Sequence, residues 1–184
     1  VEQLLGLDVG TAVFAHWKSD STPTLLMESV FVLECLAPAE WNADRFLPPT
    51  PIRVVINHRG KPEIGKDGRF ITMPTTLRNG PAHLIPDFSE IRKLIQPMTQ
   101  ASESLASKQA TELIQFAINV MHEKLSSEIQ RLESLAKVNA TIRPEELSLL
   151  NKEQSNLEKS LDQARFRLDS IRLVWKGSMA RLKN

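Results

Sequence analysis

An α+β fold is predicted, with a small, mainly antiparallel sheet from the N-terminal half packed on a long antiparallel helical hairpin from the C-terminal half. Three observations predict it. None of the seven glycines falls between Pro81 and Lys176, and of the eleven prolines only Pro144 lies beyond Pro97. Helix breakers are therefore absent from a long stretch. Leu147, Leu150, Gln154, Leu157, Leu161, Ala164, Leu168, Ile171 and Trp175 follow one another at alternating steps of three and four, a heptad seam with Gln154 as its one polar member. Ahead of both arms, Thr24 to Leu36 alternates with the period of a strand.

At 184 residues the chain fits one structural unit, divided into a mainly β portion with Pro-rich loops (1–97), a helical hairpin (98–176) and a short tail (177–184). In order, Val1 to Val9 reads as an irregular entry or the end of a helix. Thr11 to Trp17 alternates as a strand, and Lys18 to Pro23 has turn composition. In Thr24 to Leu36 the odd positions Leu25, Met27, Phe31, Leu33 and Cys35 form an apolar face broken only by Ser29. The even face carries Glu28 and Glu34, as in a sheet covered on one side.

Ala37 to Asp44 reads as a loop, and Arg45 to Pro51, with three prolines, as an extended, irregular run. Ile52 to Asn57 resumes alternation, Asn57 to Gly60 makes a turn, and Arg69 to Met73 is predicted as a further short strand after the turn at Lys66 to Gly68. Met73 to Pro86 reads as irregular. Asp87 and Glu90 form a capping-box pattern opening a short helix that Pro97 ends.

The first hairpin arm is predicted over about 98–138. At 1.5 Å per residue that is roughly 60 Å, longer than a small domain is wide, so part of it must project. Its apolar pairs, such as Ile114 with Leu125, Ile118 with Ile129 and Met121 with Leu132, recur every eleven residues. Asn139 to Arg143 is the reversal. Pro144 suits a first helical turn, Glu145 and Glu146 suit the positive end of a helix, and the second arm runs over about 144–176 with Gly177 as its stop. A heptad seam facing an eleven-residue stripe should drift out of register, which predicts tight packing over only part of the pair.

The formal net charge of +1 argues against a generally basic nucleic-acid binder, yet charge is uneven. Pro51 to Gly80 carries six Lys or Arg against Glu63 and Asp67, and Arg165 to Asn184 carries six against Asp169. Cys35 is the single cysteine, so no intramolecular disulfide forms, and it is expected to be a buried, inert thiol. No apolar run spans a bilayer and no signal-peptide pattern opens the chain, so a cytoplasmic location is expected. The chain begins at Val1, and a piece of a longer polypeptide is expected.

His16, His58, His83 and His122 are scattered, and His122–Glu123 lacks the second histidine of a zinc-protease helix because Ser126 stands there. Gly60, Gly65 and Gly68 lack the strand-to-helix context of a phosphate loop, and no Ser or Thr sits in a nucleophile elbow. Glu123, Glu128, Glu133, Glu153 and Glu158 alternate with Lys124, Arg131, Lys152 and Lys159 as solvated helix faces do. Phe31, Trp41, Phe46 and Phe70 are expected in the core. Catalytic, cofactor-binding and metal-ligating residues: none is assigned, and binding residues stay unassigned.

Four segments carry a family resemblance: SVFVLECLAP (29–38), RFLPPTPIR (45–53), SEIQRLESLAKVNATIRPEEL (127–147) and SLDQARFRLDSIRLV (160–174). In this order they resemble the C-terminal region of the RapA family, bacterial RNA polymerase-associated ATPases of the SWI/SNF type that act in RNA polymerase recycling. The resemblance covers about residues 25 to 175. It implies a parent that binds RNA polymerase and uses ATP and Mg on DNA, through motifs upstream of Val1 that do not occur here. This piece is then expected to be non-catalytic and without cofactor, partnering RNA polymerase and the rest of its own chain. Two alternatives stay open: an accessory nucleic-acid-binding domain using the basic stretches 51–80 and 165–184, or a self-assembling coiled-coil domain.

Overall fold

A computed structural model describes residues 11–74, 77–79, 88–139 and 143–178. The irregular entry at Val1 to Val9, the whole 80–87 segment with His83 and the capping position Asp87, and the tail beyond Ser178 lie outside the described residues. The elements are strands β1 (Thr11–Trp17), β2 (Thr24–Glu34), β3 (Thr50–Asn57) and β4 (Arg78–Asn79), helices α1 (Phe88–Ala136) and α2 (Pro144–Asp162), and strand β5 (Arg165–Lys176). The fold is α+β.

The strands form one five-stranded sheet in the order β3-β2-β5-β1-β4. β1 pairs with β4 antiparallel and with β5 parallel, the latter in register from Thr11 opposite Ser170 to Trp17 opposite Lys176. The described residues fall into two compact units. The first takes those of 1–32, 51–108 and 167–184, the second those of 33–50 and 109–166.

In the first unit, β2 buries Leu25, Met27, Ser29 and Phe31 as the alternation requires. Thr99 Oγ1 of α1 lies 4.0 Å from Met27 Sδ, and Ser29 Oγ donates to Ser102 Oγ at 3.1 Å, so α1 covers this face. The buried serine that interrupts the apolar stripe thus has a hydroxyl partner, and Ser102 Oγ in turn donates to the Thr99 carbonyl. The other face is covered too, contrary to the one-sided sheet expected. Leu26 packs with Ala15, Val55, Met73 and Val174 in a second apolar cluster flanked by Trp17, Phe70, Ile71 and Leu77.

In the second unit, the C-terminal part of α1 and α2 form the antiparallel hairpin. His122 meets Glu158 while Ser126 meets Gln154, so contacts step backwards along α2 as they step forwards along α1. Met121, Leu125 and Ile129 are buried on α1, and Leu157 and Leu161 on α2. Toward the other end Leu147 and Leu150 are half-buried, while Leu135, Val138 and Leu149 are exposed. Close packing thus occupies only part of the pair.

Five boundaries depart from expectation. The second arm does not run to Lys176: α2 ends at Asp162, Gln163 N–H and Ala164 N–H close the last turn on Lys159 and Leu161, and Arg165–Lys176 is β5. A strand paired on both sides, with Ile171 buried on one face and Val174 on the other, outweighs the helical spacing of Leu168, Ile171 and Trp175. Gly177 accordingly ends a strand, not a helix, with φ 125 and its N–H on the Trp17 carbonyl.

Pro97 does not break the chain into two helices, because α1 runs through it. The apolar face on either side, with Ile91, Met98, Ala106 and Ala110 buried, outweighs the lost hydrogen bond. Arg69 to Met73 forms no strand, only an Ile64–Phe70 bridge and the Ile71 N–H to Glu63 carbonyl bond. Arg45 closes a short 3-10 turn (Ala43–Arg45), and Thr50 and Pro51 already belong to β3, so the irregular run shrinks to Phe46–Pro49. A proline is tolerated at a strand's start, where its missing N–H matters least. Arg78–Asn79, in the stretch read as irregular, pairs with β1 as β4.

Candidate functional site

In the second unit, Arg45 and Phe46 of the RFLPPTPIR segment are structural anchors. Arg45 Nη2 donates to Glu153 Oε1 of α2 at 2.7 Å, and its guanidinium lies 4.7 Å from the ring centre of Phe46. Lys124 Nζ approaches the same ring at 5.9 Å. Phe46 and Leu47 are buried, so two cations flank a core aromatic. Beside this anchor a groove of about 360 Å³ is lined by Glu40, Trp41, Leu149, Lys152, Glu153 and Asn156. Trp41 is therefore a groove wall, half-buried, whereas Phe31 and Phe46 are core and Phe70 flanks the second cluster.

Farther along the hairpin the polar seam residue has specific partners. Gln154 Nε2 donates to His122 Nδ1 and to Ser126 Oγ, each at 3.1 Å, and His122 Nε2 faces Glu158 Oε1 at 3.4 Å. A lone polar residue in an apolar seam fixes register, because any slip leaves its amide without these acceptors. Cys35 is buried, its Sγ donates to the Ser160 carbonyl at 3.3 Å, and burial, followed by the negative charge of Asp44, pushes its thiol pKa up. A thiol held protonated is a poor nucleophile.

In the first unit the main charged arrangement is one the sequence reading did not pick out. Glu28, with a side chain 9% exposed, receives Arg53 Nε on Oε1 at 2.6 Å and Arg172 Nε on Oε2 at 3.1 Å. Arg53 Nη2 also donates to the Ile71 carbonyl. The signal was present as a carboxylate inside an apolar strand, which needs a cation when buried. It went unread because Arg172 was placed on a helix. His16 Nε2 donates to the Gly177 carbonyl at 2.8 Å, and Lys176 Nζ sits 4.6 Å from the Trp17 ring, so both tie the end of β5 to β1.

These contacts fasten strands and helices and leave no reactive pair. Among the described residues no three His, Cys, Asp or Glu side chains form a group that could hold a metal ion. Among the described residues no helix is long and apolar enough to cross a membrane.

The family model described as "RNA polymerase recycling family C-terminal" matches residues 1–176. The match takes in all four segments that carry the resemblance and nearly the whole chain, so this chain belongs to the RNA polymerase recycling family, as its C-terminal region.

Proposed function

We propose that this chain is a non-catalytic interaction module of an ATP-dependent, RNA polymerase-binding transcription regulator in the cytoplasm, and that it promotes recycling by contacting polymerase or the motor part of its own parent. ATP and Mg belong to the motor of that parent, which acts on DNA. The observation that carries the reading lies in the hairpin. Leu149 is 66% and Val138 83% exposed, with Leu135 also open and Leu147 and Leu150 half-buried nearby. Several aliphatic side chains left in water at the loop end of a helix pair favour a protein partner.

Binding of RNA polymerase to the immobilised chain tests this. The expected result is saturable binding that weakens at least about tenfold in L149S and V138S, as for residues that anchor an interface. Unchanged binding in both variants, with folding intact, would remove the hairpin end as the contact.

A further inference from the structure

The positive balance between Pro51 and Gly80 resolves residue by residue. Arg53 is spent on the buried Glu28. Arg59, Lys61, Lys66 and Arg69 are all exposed, and none pairs with a carboxylate among the described residues. They sit on a meander of two tight turns between β3 and Ile71, closed by the Ile56–Pro62 and Ile64–Phe70 bridges.

The two acids of this segment are occupied in building it. Glu63 Oε1 accepts from Asn57 Nδ2, and Asp67 Oδ1 accepts the Arg69 N–H. Asn57 Oδ1 in turn accepts the N–H groups of Arg59 and Lys61. The Asn57 and Asp67 bonds are Asx-type clamps that hold turns; the two carboxylates lie outside any ion pair with the four cations, which outnumber them two to one.

The meander is also anchored. His58 N–H donates to the Leu25 carbonyl of β2, Arg53 donates to the Ile71 carbonyl, and Gly60 lies so close to α1 that a Cβ there would stand 3.3 Å from Ala101 Cβ. Four unpaired cations are therefore displayed on ordered backbone. The contrast is with the helix faces of the hairpin, where opposite charges interleave.

We propose that the 57–69 meander is a contact site for the phosphate backbone of nucleic acid, engaged without regard to base sequence. Among its described side chains Ile64 is the one large apolar group exposed, so it lacks the apolar centre that a protein interface needs. Phosphate contacts need no such centre, since the favourable term is the release of counterions. Lys61 and Lys66 can be separated by at most about 18 Å of extended chain, which spans only a few phosphates of one strand.

The test measures binding of the 184-residue chain to labelled duplex DNA, single-stranded DNA and RNA of one length, by anisotropy, between about 50 and 200 mM salt. The expected result is binding to at least one of them, with a log–log salt slope of about −2 to −4. Each of K61Q and K66Q should reduce that slope by about one. The combined R59Q/K61Q/K66Q/R69Q variant should weaken binding at least about tenfold at low salt.

K124Q/K137Q, at exposed positions on α1 and just past its end, should leave binding unchanged, and thermal unfolding of each variant checks the fold. If the combined variant does not fold, the two single variants carry the test. Absence of salt-dependent binding, equal loss in K124Q/K137Q, or equal competition by polyglutamate of matched charge would overturn the proposal, the last in favour of an acidic protein partner.

Discussion

Arg172 of β5 donates through Nε to Oε2 of Glu28 on the neighbouring strand β2, at 3.1 Å. With Arg53 on the other oxygen, one buried carboxylate pairs with two cations and joins three adjacent strands. Glu28→Ala should therefore cost about 2–3 kcal/mol, because both guanidinium groups lose a charged partner while Glu28's position empties. Arg45→Ala, which removes an ion pair with side chains 40% and 30% exposed, should cost about 1 kcal/mol or less. Urea unfolding midpoints of the two variants check the contrast.

The two ends of the hairpin should respond differently to truncation. Leu157→Ala empties a fully buried position and is expected to lose about 2–5 kcal/mol. Leu149→Ala, at a position 66% exposed, should stay within about 0.5 kcal/mol. Chemical denaturation followed by helical circular dichroism distinguishes them.

Pro97 lies inside a continuous helix on its exposed side, where its ring and missing N–H cost helical hydrogen bonding. Pro97→Ala is expected to stabilise the protein by about 1–3 kcal/mol, read as a raised melting temperature. A drop in melting temperature would show that the proline is needed where it stands.

Gly177 at φ 125 has no room for a side chain, since a Cβ would come within 2.8 Å of Pro23 Cα. Gly177→Ala combines backbone strain with a clash against main chain, and a loss of about 2 kcal/mol or more is expected. The same denaturation experiment measures it.

Cys35 should resist alkylation at neutral pH in the folded protein and react rapidly once urea unfolds it. Its pKa is raised above the ordinary 9.0 in the fold, so the unfolded state loses the proton first. Its contribution to stability is therefore fully present below pH 9 and falls as pH rises through the folded value. Thiol titration with a chromogenic disulfide, with and without urea, reads both effects.

Much of this architecture was legible where periodicity and punctuation agree. Thr11–Trp17 is a strand over the expected span, and Pro144 with Glu145 and Glu146 opens α2 as anticipated. Gln154 stood out as the polar seam member and does hold partners across the hairpin. The reading failed where an apolar run suits two periods. Leu168, Ile171 and Trp175 continue a helical step of three and four, yet their segment, rich in β-branched and aromatic residues, is a central strand. No glycine or proline marks the change near Gln163, so local chemistry offered no stop signal there. The Glu28 cluster was hidden by the same error, since its second arginine was on the misassigned element. The meander cations were visible as a local excess, but only the folded turns reveal that the two nearby acids form no ion pair with them.

The position of β5 also sets an order of assembly. His16 and Gly177, which hydrogen-bond across β1 and the end of β5, stand 161 positions apart in the chain. During synthesis β1 and β2 emerge first and lack the strand that lies between them until almost everything else has been made. The helical hairpin, built from contacts close in sequence, can form in the meantime and shorten the loop that β5 must close. Completion of the sheet must then wait for β5, and the nascent chain carries open strand edges until that strand is in place.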